Sequence, residues 1–257
     1  MTHTVELDGP ILTKHYTSWS RAEPDREWTA LTLLSRKAPD LAPTPLDRSH
    51  PDVSSGPWVS MTVLPGQPLS GSLTAAQLQA LGDSLTTLWS IDPHDLPAVD
   101  TAALVDRTRT ALAVLRAGSG VIADAAASAA AWLDGAPDLT KLHDPVVAHG
   151  DPNLANYLWD GTRIRIVDFE DAGRGDRTLE LANLVEHLSG RGTDWAPVVR
   201  RFDVDPDRFR AARGLWAAFW LTLIGPGGPS AHRNPPGTAE VQARRVVELV
   251  RPTAGAP

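Results

Sequence analysis

The sequence predicts an α+β chain of two lobes: a small β-rich N-terminal lobe with one helix, then a larger, mostly helical lobe that carries a β insert. Three observations lead there. Residues 1–64 alternate short β-type runs with turn signals around a single helical pattern. From residue 74 the apolar residues recur at helical spacing, as at Leu78, Leu81, Leu85 and Leu88. Between Pro145 and Phe169 that texture gives way to three short apolar runs.

In order along the chain, Thr4-Val5-Glu6-Leu7 and Ile11 to Tyr16 flank Asp8-Gly9-Pro10, and Asp-Gly between such runs predicts a hairpin. Pro24 suits the first turn of a helix whose apolar positions are Leu31, Leu33 and Leu34, and Pro39 ends it. Pro43 to Pro57 reads as a Pro/Ser/Asp loop before a strand from Trp58 to Leu64. Helices are expected after residue 74, at 101–116 and at 121–133. Strands follow at Val146-Val147-Ala148, Tyr157-Leu158-Trp159 and Ile164 to Val167, then helices near 178–189, 207–224 and 239–250. Gly225 to Gly237 reads as a loop and 252–257 as a frayed tail. The expected domain division is 1–64 and 65–257.

Composition narrows the function. The chain has 257 residues, 42% of them apolar and 21% charged, as expected of a folded globular protein. No apolar run is long enough to span a bilayer, and the first residues carry neither a basic nor an apolar signal region, so a cytoplasmic protein with no membrane partner is expected. With no cysteine, disulfides and thiolate chemistry are excluded. The formal charge of −7 argues against nucleic acid as a partner and mildly favours a cationic small molecule. Only three lysines occur, Lys14, Lys37 and Lys141, in a chain otherwise committed to arginine.

The chemistry concentrates in the β insert. His149-Gly150-Asp151-Pro152-Asn153-Leu154-Ala155-Asn156 follows one apolar strand directly, and Val167-Asp168-Phe169-Glu170 ends the second strand after Asn156. Phosphoryl transfer needs a carboxylate beside the attacking hydroxyl and oxygen ligands that hold Mg²⁺ against nucleotide phosphates. Asp151 fits the first need; Asn156 and Asp168 fit the second. Taken singly, each has a plainer reading as a turn or strand-end residue, but the joint spacing in matching strand contexts points to chemistry.

These residues, with Glu170-Asp171-Ala172-Gly173-Arg174-Gly175-Asp176 and Leu179-Glu180-Leu181-Ala182 after them, resemble the aminoglycoside phosphotransferase / choline kinase-like family. The resemblance implies a two-lobed protein-kinase-like fold and transfer of the γ-phosphoryl group of ATP or GTP to a small-molecule hydroxyl, such as that of an aminoglycoside-like antibiotic or an amino alcohol. It makes Asp151 the base and Asn156 and Asp168 the Mg²⁺ ligands. Glu170, where protein kinases carry glycine, speaks against a protein substrate.

In the N-terminal lobe, Lys14 lies in a strand resembling the one that carries a phosphate-contacting lysine; a solvated edge position is the plainer reading. Glu27 shares a helical face with Leu31 and Leu34, so it points inward as the partner of Lys14, whereas Glu23 sits at the helix start. Thr62 and Leu64, before Pro65-Gly66, resemble the stretch between lobes whose backbone meets a nucleobase, and equally suit core packing. The family's first strand and glycine-rich phosphate loop are expected to be missing or shortened.

Asp176 is expected to cap the following helix. Glu180, Glu186 and His187 are read either as lining an acceptor pocket or as solvated helix positions. Trp216, Phe219 and Trp220 read as core more readily than as a substrate platform, and His232 and Arg233 as candidates for an acceptor cleft. A non-catalytic, kinase-like nucleotide- or ligand-binding regulatory protein is the alternative function. A metal-dependent hydrolase built on His149, Asp151 and Asp168 is a weaker one, since the histidines are scattered without metal-ligand spacing.

Overall fold

The computed structural model describes residues 3–50 and 56–251. The tail expected at 252–257, and 51–55 of the expected loop, lie outside the described residues. The chain forms two compact units, each assembled from separate stretches. The first takes the chain up to Val99, Asp144–Glu180 and Gly192–Asp203; the second takes Asp100–His143, Leu181–Arg191 and the chain from Val204 onward.

The first unit opens with β1 (His3–Asp8) and β2 (Ile11–Tyr16), joined across Gly9 and Pro10 as the Asp-Gly signal predicts. Helix α1 (Glu23–Lys37) follows, with Pro24 in its first turn. Strands β3 (Pro45–Arg48) and β4 (Trp58–Thr62) complete an antiparallel sheet of order β1-β2-β4-β3. Strand β3 corrects the expectation of a loop from Pro43 onward: its polar sequence hides a strand that exists because β4 offers a free edge. β2 lies inside the sheet, so alternate residues face α1, and Lys14 and Tyr16 are buried there. On α1 the same face carries Leu31 and Leu34, both 0% exposed, and Glu27 at 1%.

The rest of the unit supports the β insert. After β5 (Gln67–Pro68), helix α2 (Ala75–Trp89) starts at Thr74, whose side chain and that of Gln77 cap each other's backbone. Ser84 of α2 donates to the Ile164 carbonyl at 2.7 Å. In the insert, β7 (Tyr157–Trp159) pairs with β5 on one side and β8 (Ile164–Ile166) on the other, whereas β6 (Pro145–Ala148) pairs with β9 (Gly173–Asp176). Neither β5 nor β9 is legible as a strand, because Gln-Pro and Gly-Arg-Gly-Asp lack β-type side chains. Asp176 caps the start of α5 (Arg177–Glu186) through the Thr178 amide at 3.0 Å, as expected. A short helix, α6 (Ala196–Val199), packs on α2.

In the second unit α3 (Thr101–Leu115), α4 (Gly120–Gly135), α7 (Pro206–Ile224) and α8 (Thr238–Val250) pack on one another. Small residues on α4 and α7, among them Ala125, Ala129, Ala217 and Ala218 at 0% exposure, let the helix axes approach closely. The expected loop from Gly225 to Gly237 contains a 3₁₀ turn at Ala231–Arg233. Among the described residues no helix is long and apolar enough to cross a membrane.

Leu31 ties α1 to the sheet. Leu31→Ala is expected to lower unfolding free energy by about 2–5 kcal/mol, read as a lower urea midpoint at unchanged slope.

Candidate active site

Two groups of side chains in the first unit gather most of the residues singled out by sequence. The first surrounds Lys14. Its side chain is 4% exposed, and its ammonium lies 2.8 Å from Glu27 Oε2, 2.8 Å from Glu170 Oε2, and in hydrogen-bond contact with Asp168 Oδ1. The inward orientation predicted for Glu27 therefore holds, and the solvated-edge reading of Lys14 does not. Burial alone would favour a neutral Lys14, but the carboxylates of Glu27, Asp168 and Glu170 outweigh it and raise its proton affinity above the ordinary lysine value.

Glu27 is itself fixed from three sides. Its Oε2 accepts from Lys14 and from the Tyr16 hydroxyl, while its Oε1 accepts the Phe169 amide at 3.1 Å. Tyr16 was missed by sequence reasoning, although its place two residues after Lys14 on the same strand face was the available signal. Burial, and next the Glu27 charge, push the Tyr16 hydroxyl far up, so it acts as a fixed donor.

Asp168 adopts a left-handed backbone (φ 71°, ψ 58°), uncommon for a residue with a side chain. A 3₁₀ turn at Phe169–Asp171 follows, held by Arg26 of α1, which donates to the Glu170 carbonyl at 2.8 Å. His3 adds Nδ1 at 3.0 Å from Glu170 Oε2, and the ligand atoms of His3, Asp168 and Glu170 lie within 4.8 Å of one another. Three carboxylates around one ammonium leave a surplus of negative charge. That surplus, in hard oxygen donors, suits a divalent cation.

The second group is the loop after β6. Asn156 donates from Nδ2 to the Asp151 carbonyl at 3.0 Å and to Asp151 Oδ2 at 3.3 Å. The Asp151 amide donates to His149 Nδ1 at 3.3 Å, so the His149 proton sits on Nε2, which donates to the Val167 carbonyl at 2.8 Å. His149 is 2% exposed, and its ring meets Phe169 edge-on at 4.8 Å. Through Val167 and Phe169 it joins this loop to the segment bearing Asp168.

Gly150 has φ +86°, and a Cβ there would lie 2.6 Å from the Asp171 carbonyl oxygen, so the loop passes a contact that only glycine allows. Glu180 of α5 accepts the His149 and Gly150 amides at 2.8 and 3.3 Å. It is thus a backbone anchor, half-buried rather than solvated, which no local pattern reveals. Burial raises its proton affinity, against the pull of those amides.

The structure does not draw Thr62 and Leu64 into either group. The Thr62 amide donates to the Thr44 carbonyl at 3.0 Å, and its hydroxyl accepts the Thr44 amide at 2.9 Å. Leu64 is half-buried just beyond β4. Glu186 and His187, in the second unit, are buried rather than solvated.

Burial would raise the Glu170 carboxyl, but the His3 hydrogen bond and Lys14 bring it down from 4.5 to about 2. A carboxyl held below its unfolded value stabilises the fold above about pH 4.5, and this contribution fades as pH falls towards 2. The melting temperatures of wild type and Glu170→Gln are therefore expected to converge as pH drops through that window. A gap independent of pH would contradict the assignment.

Among known proteins, the sequence matches the family described as phosphotransferase enzyme family (APH) over residues 4–215. No curated protein matches the chain. Solved structures share its protein-kinase-like fold. The GDP and kanamycin complex of APH(2")-IIia has a TM-score of 0.71 at 18% identity, over 97% of this chain and 89% of that one. A choline/ethanolamine kinase family protein from Mesorhizobium loti gives 0.67 at 17% identity, over 98% and 86%. The apoenzyme of macrolide 2'-phosphotransferase MphH from Brachybacterium faecium gives 0.58 at 17%, over 100% and 90%. With its match running from the first strand into α7, the chain belongs to the phosphotransferase enzyme family.

Proposed function

We propose that the protein transfers the γ-phosphoryl group of ATP or GTP to a hydroxyl of a small molecule, with Asp151 as the base. One observation carries the reading. Lys14, Glu27 and Asp168, from three separate segments, meet in one ion cluster on the segment that His149 links to Asp151. Nucleotide-bound neighbours, a GDP complex and an ADP-bound APH(2'')-Ib among them, support a nucleotide donor. The family supports a small-molecule acceptor.

In this reading Asp151 accepts a hydrogen bond from the acceptor hydroxyl and takes its proton as the oxygen attacks the γ-phosphorus. A new P–O bond forms, the bond from the γ-phosphorus to the bridging oxygen breaks, and the nucleoside diphosphate leaves with that electron pair. Asn156, bonded to Asp151 Oδ2, holds the carboxylate in one rotamer. Glu180 holds the loop beneath it. Lys14 turns its ammonium to the donor phosphates while Glu27 and Tyr16 keep the side chain extended. Asp168, Asn156 and Glu170 would hold Mg²⁺ through their oxygens, and the ion would supply positive charge against the donor phosphates. Residues 1–64 would cover the nucleotide, with Thr62 and Leu64 meeting its base through backbone carbonyls. Rate enhancement would come mainly from positioning and electrostatics.

The acceptor classes to test first are aminoglycoside-like antibiotics, macrolides and amino alcohols. The first two would give the enzyme a role in antibiotic resistance. A cytoplasmic setting supplies the triphosphate. Asp151→Asn is expected to lower kcat for transfer by roughly 10²–10⁴-fold while leaving calorimetric binding of ATP or GTP unchanged. Full activity in that variant would refute the mechanism. Wild type that binds neither nucleotide with Mg²⁺ would favour the non-catalytic alternative.

A further inference from the structure

In the second unit, charged and aromatic side chains from α5, α7 and α8 meet around Glu186, whose side chain is 3% exposed. Arg213 Nε lies 2.6 Å from Glu186 Oε1; Arg245 Nη2 lies 2.9 Å from the same oxygen and its Nε 3.0 Å from Oε2. Arg245 also reaches Glu248 at 2.8 Å. These two arginines account for both carboxylates. A third, Arg191, follows the 3₁₀ turn at Leu188–Gly190 and donates to the Gln242 side-chain oxygen, a neutral partner. Among the described residues Arg191 forms no ion pair. Partial burial lowers its proton affinity, Glu186 raises it and Arg245 lowers it again, as expected of a guanidinium without a counter-ion of its own.

Gln242 Nε2 in turn donates to the Ala217 carbonyl at 2.6 Å, which ties Arg191, through Gln242, to α7, the helix that also bears Trp216 and Trp220. Those indoles are half-buried and stacked, with ring centres 6.4 Å apart and planes 27° apart. The His187 ring meets Trp220 edge-on at 4.5 Å. The Trp220 indole N–H is buried and has no acceptor among the described residues, an uncommon state that costs stability when left unrelieved. Where the sequence suggested core, the structure has a half-covered aromatic face on the helix tied to an unmatched cation.

We propose that this part of the helical unit binds a flat aromatic carboxylate, its ring against Trp216 and Trp220 and its oxygens on Arg191 and the Trp220 N–H. The site offers donors and apolar ring faces, while its own carboxylates are spent on Arg213 and Arg245. An acceptor-only, planar anion complements that set, and the guanidinium fork matches its two oxygens. A polycation would meet Arg191 with like charge. The proposal does not rest on the phosphotransferase reading, since it concerns binding alone.

The test is calorimetric titration of the full chain with 2-naphthoate, 2-naphthylmethanol and 2-naphthylmethylammonium. Naphthoate is expected to bind at one site, and the neutral and cationic analogues at least tenfold more weakly. Arg191→Gln should weaken naphthoate about tenfold, and Trp220→Phe, which keeps a ring but removes the N–H, several-fold. Both variants should keep the wild-type circular dichroism spectrum. Equal binding of the three probes, or indifference to Arg191→Gln, would each overturn the proposal.

Discussion

Lys14 carries a full charge into the first unit on a side chain 4% exposed, where an ammonium without partners would lose its proton or pull its strand outward. It does neither, because carboxylates from α1 and from the turn after β8 converge on it. None of those carboxylates could be buried alone either. The cluster exists as a whole, and removing one member leaves the others uncompensated, a loss of about 3–5 kcal/mol for buried pairs in general. The pitch of α1, the register of β2 and the strained turn at Asp168 are all conditions for a single ion cluster.

That constraint propagates along the backbone. Glu27 also takes the Phe169 amide, so the helix that neutralises Lys14 sets the direction in which the chain leaves Asp168. Phe169 then packs on His149, which fixes its proton on Nε2 by receiving the Asp151 amide and donating to Val167. Glu180 closes the arrangement from below through two amides of the same loop. Asp151, the proposed base, is thereby held directly by His149 and Asn156 and, through the backbone of its loop, by Glu180, and rigidity of this kind is what pre-organised electrostatic catalysis needs.

The sequence was most legible where the relevant interactions are short in chain distance. The loop from His149 to Asn156 and the Asp168 segment stand out because strand, turn and polar residues follow in fixed order. Glu27 could be chosen over Glu23 because helical periodicity alone turns it inward. The failures share a cause. β3, β5 and β9 are strands by virtue of a partner edge rather than their own side chains. Glu180 is an anchor only because the loop after β6 lies across it, and no pattern within α5 distinguishes that from a solvated glutamate. Of the two readings of Glu186 the solvated one fails for the same reason, since its arginines come from α7 and α8. Tyr16 is the exception: its signal was local, and strand alternation from Lys14 would have shown it.

Charge makes the same point on a larger scale. A formal charge of −7 suggested a cationic ligand, and around Lys14 the local surplus is indeed negative. Around Arg191 it is not, although the same sum covers both places. Salt screens charges beyond about 10 Å, so net charge governs encounter at distance, while the groups within hydrogen-bond reach decide what stays. At Arg191 that group is a neutral amide, the side chain of Gln242. Such a surface selects for lone pairs whatever the chain sums to. The carboxylates around Lys14 and the guanidinium of Arg191 thus set opposite local charge within one chain, and each follows from which side chains the fold brings together.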